Sequence, residues 1–506
     1  MGMIFAGSAV PCKYAIMRAL EQMKKTIWVI VAIAALFWWV IWCAVFYVAG
    51  KRSASASDTP ARATGALRGE FLSRMPARRE SFTLSPDELH VAYVKVHPDG
   101  RQVFVDGKAE PIKSDIIERS LVFSPDGLRL GYVAYENEKY VAIVDGHEGT
   151  PYPEIGVKTG IIFSPDSRHA AYFAHANEKW FVVRDGREGM AYELVGSGSL
   201  MFSPDSQRLA YDSASGKQWR LVVDEKEHRF YQQIMTPERL FSPDSQRTMY
   251  CAKLANGKWT MLVDDKPGAE FSDLAPTAAS FSPDSRRYCY PARTSGGGGD
   301  DAPWVVVTDG KPGPEFTAIA RGSLGFSPDS RRIAYGGITA SNETVIMIDG
   351  KEVGRYDGIG ISSLIFSPDS TQWACLARKG KNWSVILNGK ALGWHETVGT
   401  RLVFSPDSSR VGYSRYDADG WGIVVGDESQ TSCQSVSAAP TFSKDSKHFA
   451  YRAKRDGREH VVVDDHWSPA YDEVLTSKIG FHDDGSTEFL VLDGGELRRV
   501  IQPPPQ

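Results

Sequence analysis

Phe163-Ser164-Pro165-Asp166-Ser167-Arg168-His169-Ala170-Ala171-Tyr172 recurs almost unchanged along this chain, and that recurrence leaves few folds open. The motif prolines, or the residues in their place, fall at Pro86, Pro125, Pro165, Pro204, Pro243, Pro283, Pro328, Pro368, Pro406, Lys444 and Asp483. The gaps are roughly forty residues, the length of one four-stranded propeller blade. The last two copies, Ser443-Lys444-Asp445 and His482-Asp483-Asp484, are degenerate.

The turn chemistry divides each unit into four strands. A short strand ends at the Phe. Ser-Pro-Asp-Ser then reads as a turn, with Pro presetting φ and the Ser and Asp side chains bonding nearby backbone N–H groups. A second strand carries the aromatic seven residues beyond the proline, as in Tyr132, Tyr172 and Tyr250. A third opens on an aromatic: Tyr140, Trp180, Trp219, Trp259, Trp304, Trp383 and Trp421. Asp145-Gly146, Asp185-Gly186, Asp309-Gly310, Asp349-Gly350 and Asn388-Gly389 follow. Such pairs predict two-residue hairpins, because both central positions of a type I′ turn need positive φ. A fourth, more polar strand ends near Tyr152, Tyr192, Phe271, Phe316 or Tyr356. Helical periodicity is missing from the whole region.

FSPDS-x-x-x-A-Y followed by a hydrophobic strand and DG resembles the TolB-type, WD-like β-propeller repeat of bacteria. The likeness covers about residues 66–501, with the Ser-Pro-Asp core intact in nine of eleven copies. It implies an all-β propeller, and little about chemistry, since propellers of this kind include scaffolds, ligand binders and modules attached to enzymes. Eleven units exceed the usual four to eight blades. One large ring and two consecutive propellers are both open, and the lack of a linker between repeats favours one ring. The last unit has room after Phe481 for only two more strands, so residues 66–73 are expected to supply its fourth strand beside residues 496–501. Such a clasp removes the exposed edges of an open array.

Residues 26–50, TIWVIVAIAALFWWVIWCAVFYVAG, contain no charge and are long enough to cross a bilayer as a helix. Lys24 and Lys25 precede the run, and Lys51 and Arg52 follow it, so flanking charge is nearly balanced. Ala54-Ser55-Ala56 resembles a signal-peptide cleavage site, but the apolar run is too long for an ordinary signal peptide. The expected layout is a cytoplasmic segment 1–25, a transmembrane helix 26–50, a polar linker 51–65 and a repeat region 66–506. That places the protein in the cell inner membrane as a single-pass protein, with the propeller on the periplasmic or extracellular side.

Composition narrows the function. A net charge of -4 argues against binding driven by nucleic-acid phosphates. The six cysteines contain no C-x-x-C, and Cys251, Cys289 and Cys375 fall in predicted strands, where thiols pack as small hydrophobes. No zincin helix, G-x-S-x-G elbow, P-loop or dinucleotide fingerprint occurs, so no cofactor, metal or catalytic residue is assigned. The motif aspartates are accounted for by their own turns. Arg168, Arg208, Arg247 and Arg332 after the turns are expected to face solvent or a neighbouring blade. The third-strand aromatics fit blade-to-blade packing better than a sugar-binding rim.

The segments just before each motif Phe carry Arg119, Lys158, Arg239, Arg321, Arg401 and Lys478, opposed only by Glu118 and Glu238. Small hydroxyls accompany them at Ser120, Thr159, Ser199, Thr277, Ser323, Ser363, Thr400 and Ser477. In propellers of the type resembled, these connections surround the channel mouth, where a ring of cations would attract anionic groups. The expectation is a scaffold that binds a protein or an anionic envelope component there. The alternative is a propeller lyase or hydrolase acting on a glycan or peptide at the same mouth.

Overall fold

The computed structural model describes residues 68–74, 82–117, 119–156, 160–237, 239–294, 302–430 and 432–505. The expected transmembrane helix 26–50, the segment 1–25 and the linker 51–65 lie outside them, as do Lys158 and Thr159. Among the described residues no helix is long and apolar enough to cross a membrane.

The chain builds eleven antiparallel sheets, one per repeat. Blade 3 shows the plan. Its second strand, Ala170–Ala176, pairs with a third, Lys179–Arg184, and that pairs with a fourth, Arg187–Tyr192. On its other side the second strand holds two short pieces end to end, Glu154–Ile155 and Ile162–Phe163. The first strand is therefore a split strand. The Asp-Gly hairpins adopt the expected form: Asp185 and Gly186 have φ of 50° and 77°, and Asn388 and Gly389 have 49° and 85°.

Cross-strand pairing explains the spaced aromatics. Trp180 faces Tyr192, Trp259 faces Phe271 and Trp304 faces Phe316 across the third and fourth strands. In blades with a shorter fourth strand, isolated bridges keep the contact, as in Tyr140 with Tyr152 and Trp219 with Tyr231. These are sheet contacts, and the indoles of Trp180, Trp219 and Trp383 also pack against inter-blade cores.

Adjacent blades meet through apolar second and third strands. Each junction has its own buried cluster, such as Ala171, Phe173 and Val182 of blade 3 with Tyr211 and Val222 of blade 4. The series runs without a break to the junction of blade 11 with blade 1, where Leu497 packs on Val91 and Tyr93. One ring of eleven blades is thus closed. Strand Arg68–Arg74 pairs antiparallel with Glu496–Gln502, which pairs with Thr487–Asp493, so chain from both ends completes blade 11. Cys251, Cys289 and Cys375 are buried in second strands, and burial pushes the Cys289 thiol up to about 12.

The motif also joins blades. Its first serine donates to the aspartate, as Ser164 Oγ does to Asp166 Oδ1 at 2.6 Å. Its second serine accepts the backbone N–H of the preceding blade's aspartate, as Ser206 Oγ does from Asp166 at 2.9 Å. This staple repeats at every junction from blades 2 and 3 to blades 9 and 10. Arg247 shows the second device. Its Nε donates to Asp264 of its own blade at 2.9 Å, and its Nη1 donates to the carbonyls of Ser285 and Arg286 in the next. The guanidinium lies over Phe281, 5.2 Å from the ring centre. Arg208 and Arg332 act alike, whereas Arg168 points to solvent with 83% of its side chain exposed.

Candidate functional site

The split in the first strand decides where the predicted basic residues sit. In blade 7 the first half, Ala318–Ile319, pairs with the end of the second strand, and the second half, Gly325–Phe326, pairs with its beginning. Residues 320–324 bridge the halves as a turn bulging away from the sheet. Ser323 closes it: its hydroxyl donates to the Ala320 carbonyl at 2.7 Å and accepts the Gly336 N–H at 2.8 Å. Ser120, Ser199 and Ser363 do the same in blades 2, 4 and 8. These buried hydroxyls stand in for the interrupted backbone ladder, so they belong to the frame and are not presented to a ligand.

Arg119, Arg321 and Lys478 occupy these turns, Arg401 sits in the bulge of the continuous first strand Thr397–Phe404 of blade 9, and all four are exposed. Arg239 holds the matching place in blade 5. The basic side chains therefore project from within the first strand, not from the connections between blades. Among the described residues no carboxylate lies within ion-pair distance of Arg119, Arg239, Arg321 or Arg401. Lys478 differs. The Glu88 carboxylate of blade 1 accepts the backbone N–H groups of Ser477 and Lys478, and the Ser477 hydroxyl at 2.5 Å. That carboxylate supplies negative charge at this turn, so the site is not uniformly cationic.

Arg239 and Arg321 are brought together. They line one cavity of about 920 Å3 with residues from the first strands of blades 6 and 8. Four consecutive blades can share one space only where their edges converge, so the split strands form the inner edge of the ring. The polar fourth strands, such as Lys266–Phe271, exposed up to its buried last residue, form its rim. Arg239 Nη1 reaches Ser280 Oγ of blade 6 at 3.4 Å. Trp304 lines the same cavity.

One acidic residue near these turns escaped sequence reasoning. Asp212, in the second strand of blade 4, is 8% exposed. It takes a position filled by Val133 in blade 2 and Phe173 in blade 3. Its Oδ1 accepts the Thr236 hydroxyl of blade 5 at 2.5 Å. Burial pushes its carboxyl up to about 6, against the lowering effect of that hydrogen bond. The signal was a carboxylate directly after the second-strand tyrosine, where most copies are apolar.

The motif aspartates move the opposite way. Serine hydroxyls and backbone N–H groups hold Asp369 and Asp407 down at about 2. Each serves its own turn, one per blade. Among the described residues no three His, Cys, Asp or Glu side chains gather as a metal-holding group.

No family model matches the chain, and no curated protein matches its sequence. Among solved structures, a eukaryotic initiation factor is similar at 12% identity and a TM-score of 0.39, over 81% of this chain and 98% of that one. Hydrazine synthase from Kuenenia stuttgartiensis is similar at 12% identity and a TM-score of 0.25, over 61% and 94%. TolB from Acinetobacter baumannii is similar at 14% identity and a TM-score of 0.24, over 59% and 76%.

Proposed function

We propose that this chain is a membrane-anchored, extracytoplasmic scaffold of the TolB-type, WD-like kind, and that its inner edge binds a protein or an anionic envelope component. One observation carries this reading. The interruptions of the first strands hold Arg119, Arg239, Arg321 and Arg401 without a carboxylate partner among the described residues, with Ser120 and Ser323 fixing the turn shape at Arg119 and Arg321. Cations held this way attract anionic groups without rearrangement of the frame. Binding is favoured over catalysis because the closing hydroxyls beside Arg119 and Arg321, Ser120 and Ser323, already both donate and accept, which leaves neither poised as a nucleophile beside a base. The uncharged run 26–50 supports the anchor and the cell inner membrane as the location.

The test is cross-linking and recovery from membranes of the full chain and of a chain lacking residues 1–50. The expected result is one stoichiometric partner, recovered less well as salt rises and lost in the Arg321→Ala, Arg401→Ala double variant. Recovery unchanged by salt and by that variant rejects the reading.

A further inference from the structure

The cavity over blades 5 to 8 is the place where the basic turns act on a shared space, and blade 6 forms its floor. Blade 6 has no closing serine in its first-strand turn. It makes instead a single 3-10 turn, Pro276–Ala278, closed by the Ala279 N–H donating to the Pro276 carbonyl, with no side-chain cap at Ala275. Ala275, Ala278 and Ala279 line the cavity there. Short side chains leave a recess between two cations: Arg239 stands on the blade before, Arg321 on the blade after. On blade 8 the far wall ends in Ile361, 67% exposed.

We propose that this cavity is the docking site for an acidic peptide segment of a partner protein. The inference rests on the scaffold reading and names the chemistry recognised. The two guanidiniums belong to blades separated by a third, so they address two separate anionic groups rather than one phosphate. A single phosphate is held by donors converging on one point, and here the floor between the cations is Ala275, Ala278 and Ala279 beside Thr277 and Ser280, with the Ser280 hydroxyl already bonded to Arg239 and to the Phe281 carbonyl. A peptide meets the arrangement. Carboxylates on either side of a small residue reach Arg239 and Arg321, the small residue rests on the alanines, and an apolar side chain beyond covers Ile361. The volume of about 920 Å3 is that of a pocket taking a few residues, not a whole domain.

The probe is a fluorescein-labelled peptide of five Glu-Ala repeats ending in Leu, whose repeat offers several carboxylate spacings. It is read by fluorescence anisotropy against the full chain in detergent. The Gln-Ala counterpart and polygalacturonate are the other arms. Binding of the Glu-Ala peptide is expected, weakening with salt and falling about 10-fold or more in Arg239→Ala and in Arg321→Ala, since each removes a charge-assisted contact. Both arginines are exposed, so these variants fold. Arg168→Ala, which removes a solvent-facing arginine elsewhere, is expected to bind as the parent does. Absence of peptide binding, equal binding of the Gln-Ala peptide, binding of polygalacturonate alone, or indifference to both substitutions overturns the proposal. If membrane recovery of a partner persists while the peptide fails, this cavity is the wrong docking site and the scaffold reading stands.

Discussion

Replacing Asp212 with Asn should stabilise the ring at neutral pH and leave it unchanged in mild acid. The carboxyl is buried between blades 4 and 5, with the Thr236 hydroxyl on Oδ1. Burial raises its pKa from 3.8 to about 6 in the folded chain. The folded state therefore binds more protons than the unfolded state between those values, and stability falls as pH rises through that window. A shift of that size corresponds to about 3 kcal/mol lost once the pH is above 6. Asn keeps the shape and the acceptor for Thr236 and carries no charge, so that loss should vanish. Urea unfolding from pH 4 to 8 reads the effect, supported by hydrogen exchange in peptides covering Leu209–Ser215 and Gln233–Met235. The parent and the variant should coincide near pH 4 and diverge above pH 6, with the variant the more stable. The motif aspartates have the opposite sign. Their depressed pKa values contribute stability that is full above about 4 and is lost as pH falls toward about 2, outside the window measured. A parent–variant difference that does not change across the window would refute the reasoning.

Arg247→Ala should loosen the junction of blades 5 and 6 by about 1–2 kcal/mol, because the bonds lost are charge-assisted but partly exposed. Arg247→Lys should recover little, since an ammonium lacks the planar fork that serves Asp264 and two carbonyls together; hydrogen exchange confined to those blades checks both. Gly337→Ala would place a methyl 2.4 Å from the Phe316 ring and should cost about 1–3 kcal/mol, whereas Gly325→Ala meets nothing within 4 Å and should be near neutral in thermal unfolding. Deleting Arg68–Arg74 uncovers the strand Glu496–Gln502 and should lower the urea midpoint and promote self-association, measured by light scattering.

The repeat, the type I′ hairpins, the buried thiols and the clasp near Glu496 were legible because each rests on local chemistry. Pro, Gly and Asp have few backbone choices, and those choices survive in any context. The split first strand was not legible. Its halves, such as Glu154–Ile155, are two residues long, too short to show alternation, and the turns between them share no sequence: Ala-Arg-Gly-Ser in blade 7 and Ala-Pro-Thr-Ala in blade 6. An aliphatic residue recurring at Ile116, Ile155, Leu274 and Ile319 was the available signal, with Ser120, Ser199, Ser323 and Ser363 each three residues before the motif Phe. Sequence reasoning grouped those serines with the ligand-facing cations. The structure puts them in the hydrogen-bond frame, a distinction that depends on which backbone groups the strand interruption leaves unpaired. The arginines after the turns can face either solvent or a neighbouring blade from sequence alone, and each outcome occurs, in Arg168 and in Arg247.

The weak part of the ring lies where its ends meet. A staple needs an aspartate N–H on one blade and a serine in the matching place on the next. Gly127, Gly485 and Glu88 hold that place in blades 2, 11 and 1, and the staples stop at those three junctions. The cation at the motif's end does not follow this pattern: blades 1, 3 and 10 carry His90, His169 and His448 on Asp106, Asp185 and Asp464, and blade 8 carries Gln372, where blades 2, 4 to 7 and 9 carry arginine. A repeat cannot close a ring by its own rule, because the last copy has no successor and the first has no predecessor. Closure falls to contacts between the two ends of the repeat region: the clasp strand, Glu88 on the blade 11 turn, and Arg499 Nη2 donating to the Leu89 carbonyl at 2.8 Å. These contacts join residues about as far apart in sequence as the repeat region allows, so they carry the largest loop-closure entropy and form only after much of the array has ordered. Unfolding should therefore begin at blade 11, with amides of Thr487–Asp493 exchanging before those of Tyr288–Arg293 on the far side of the ring. Equal protection of the two strands would mean that the clasp alone makes up for the missing staples.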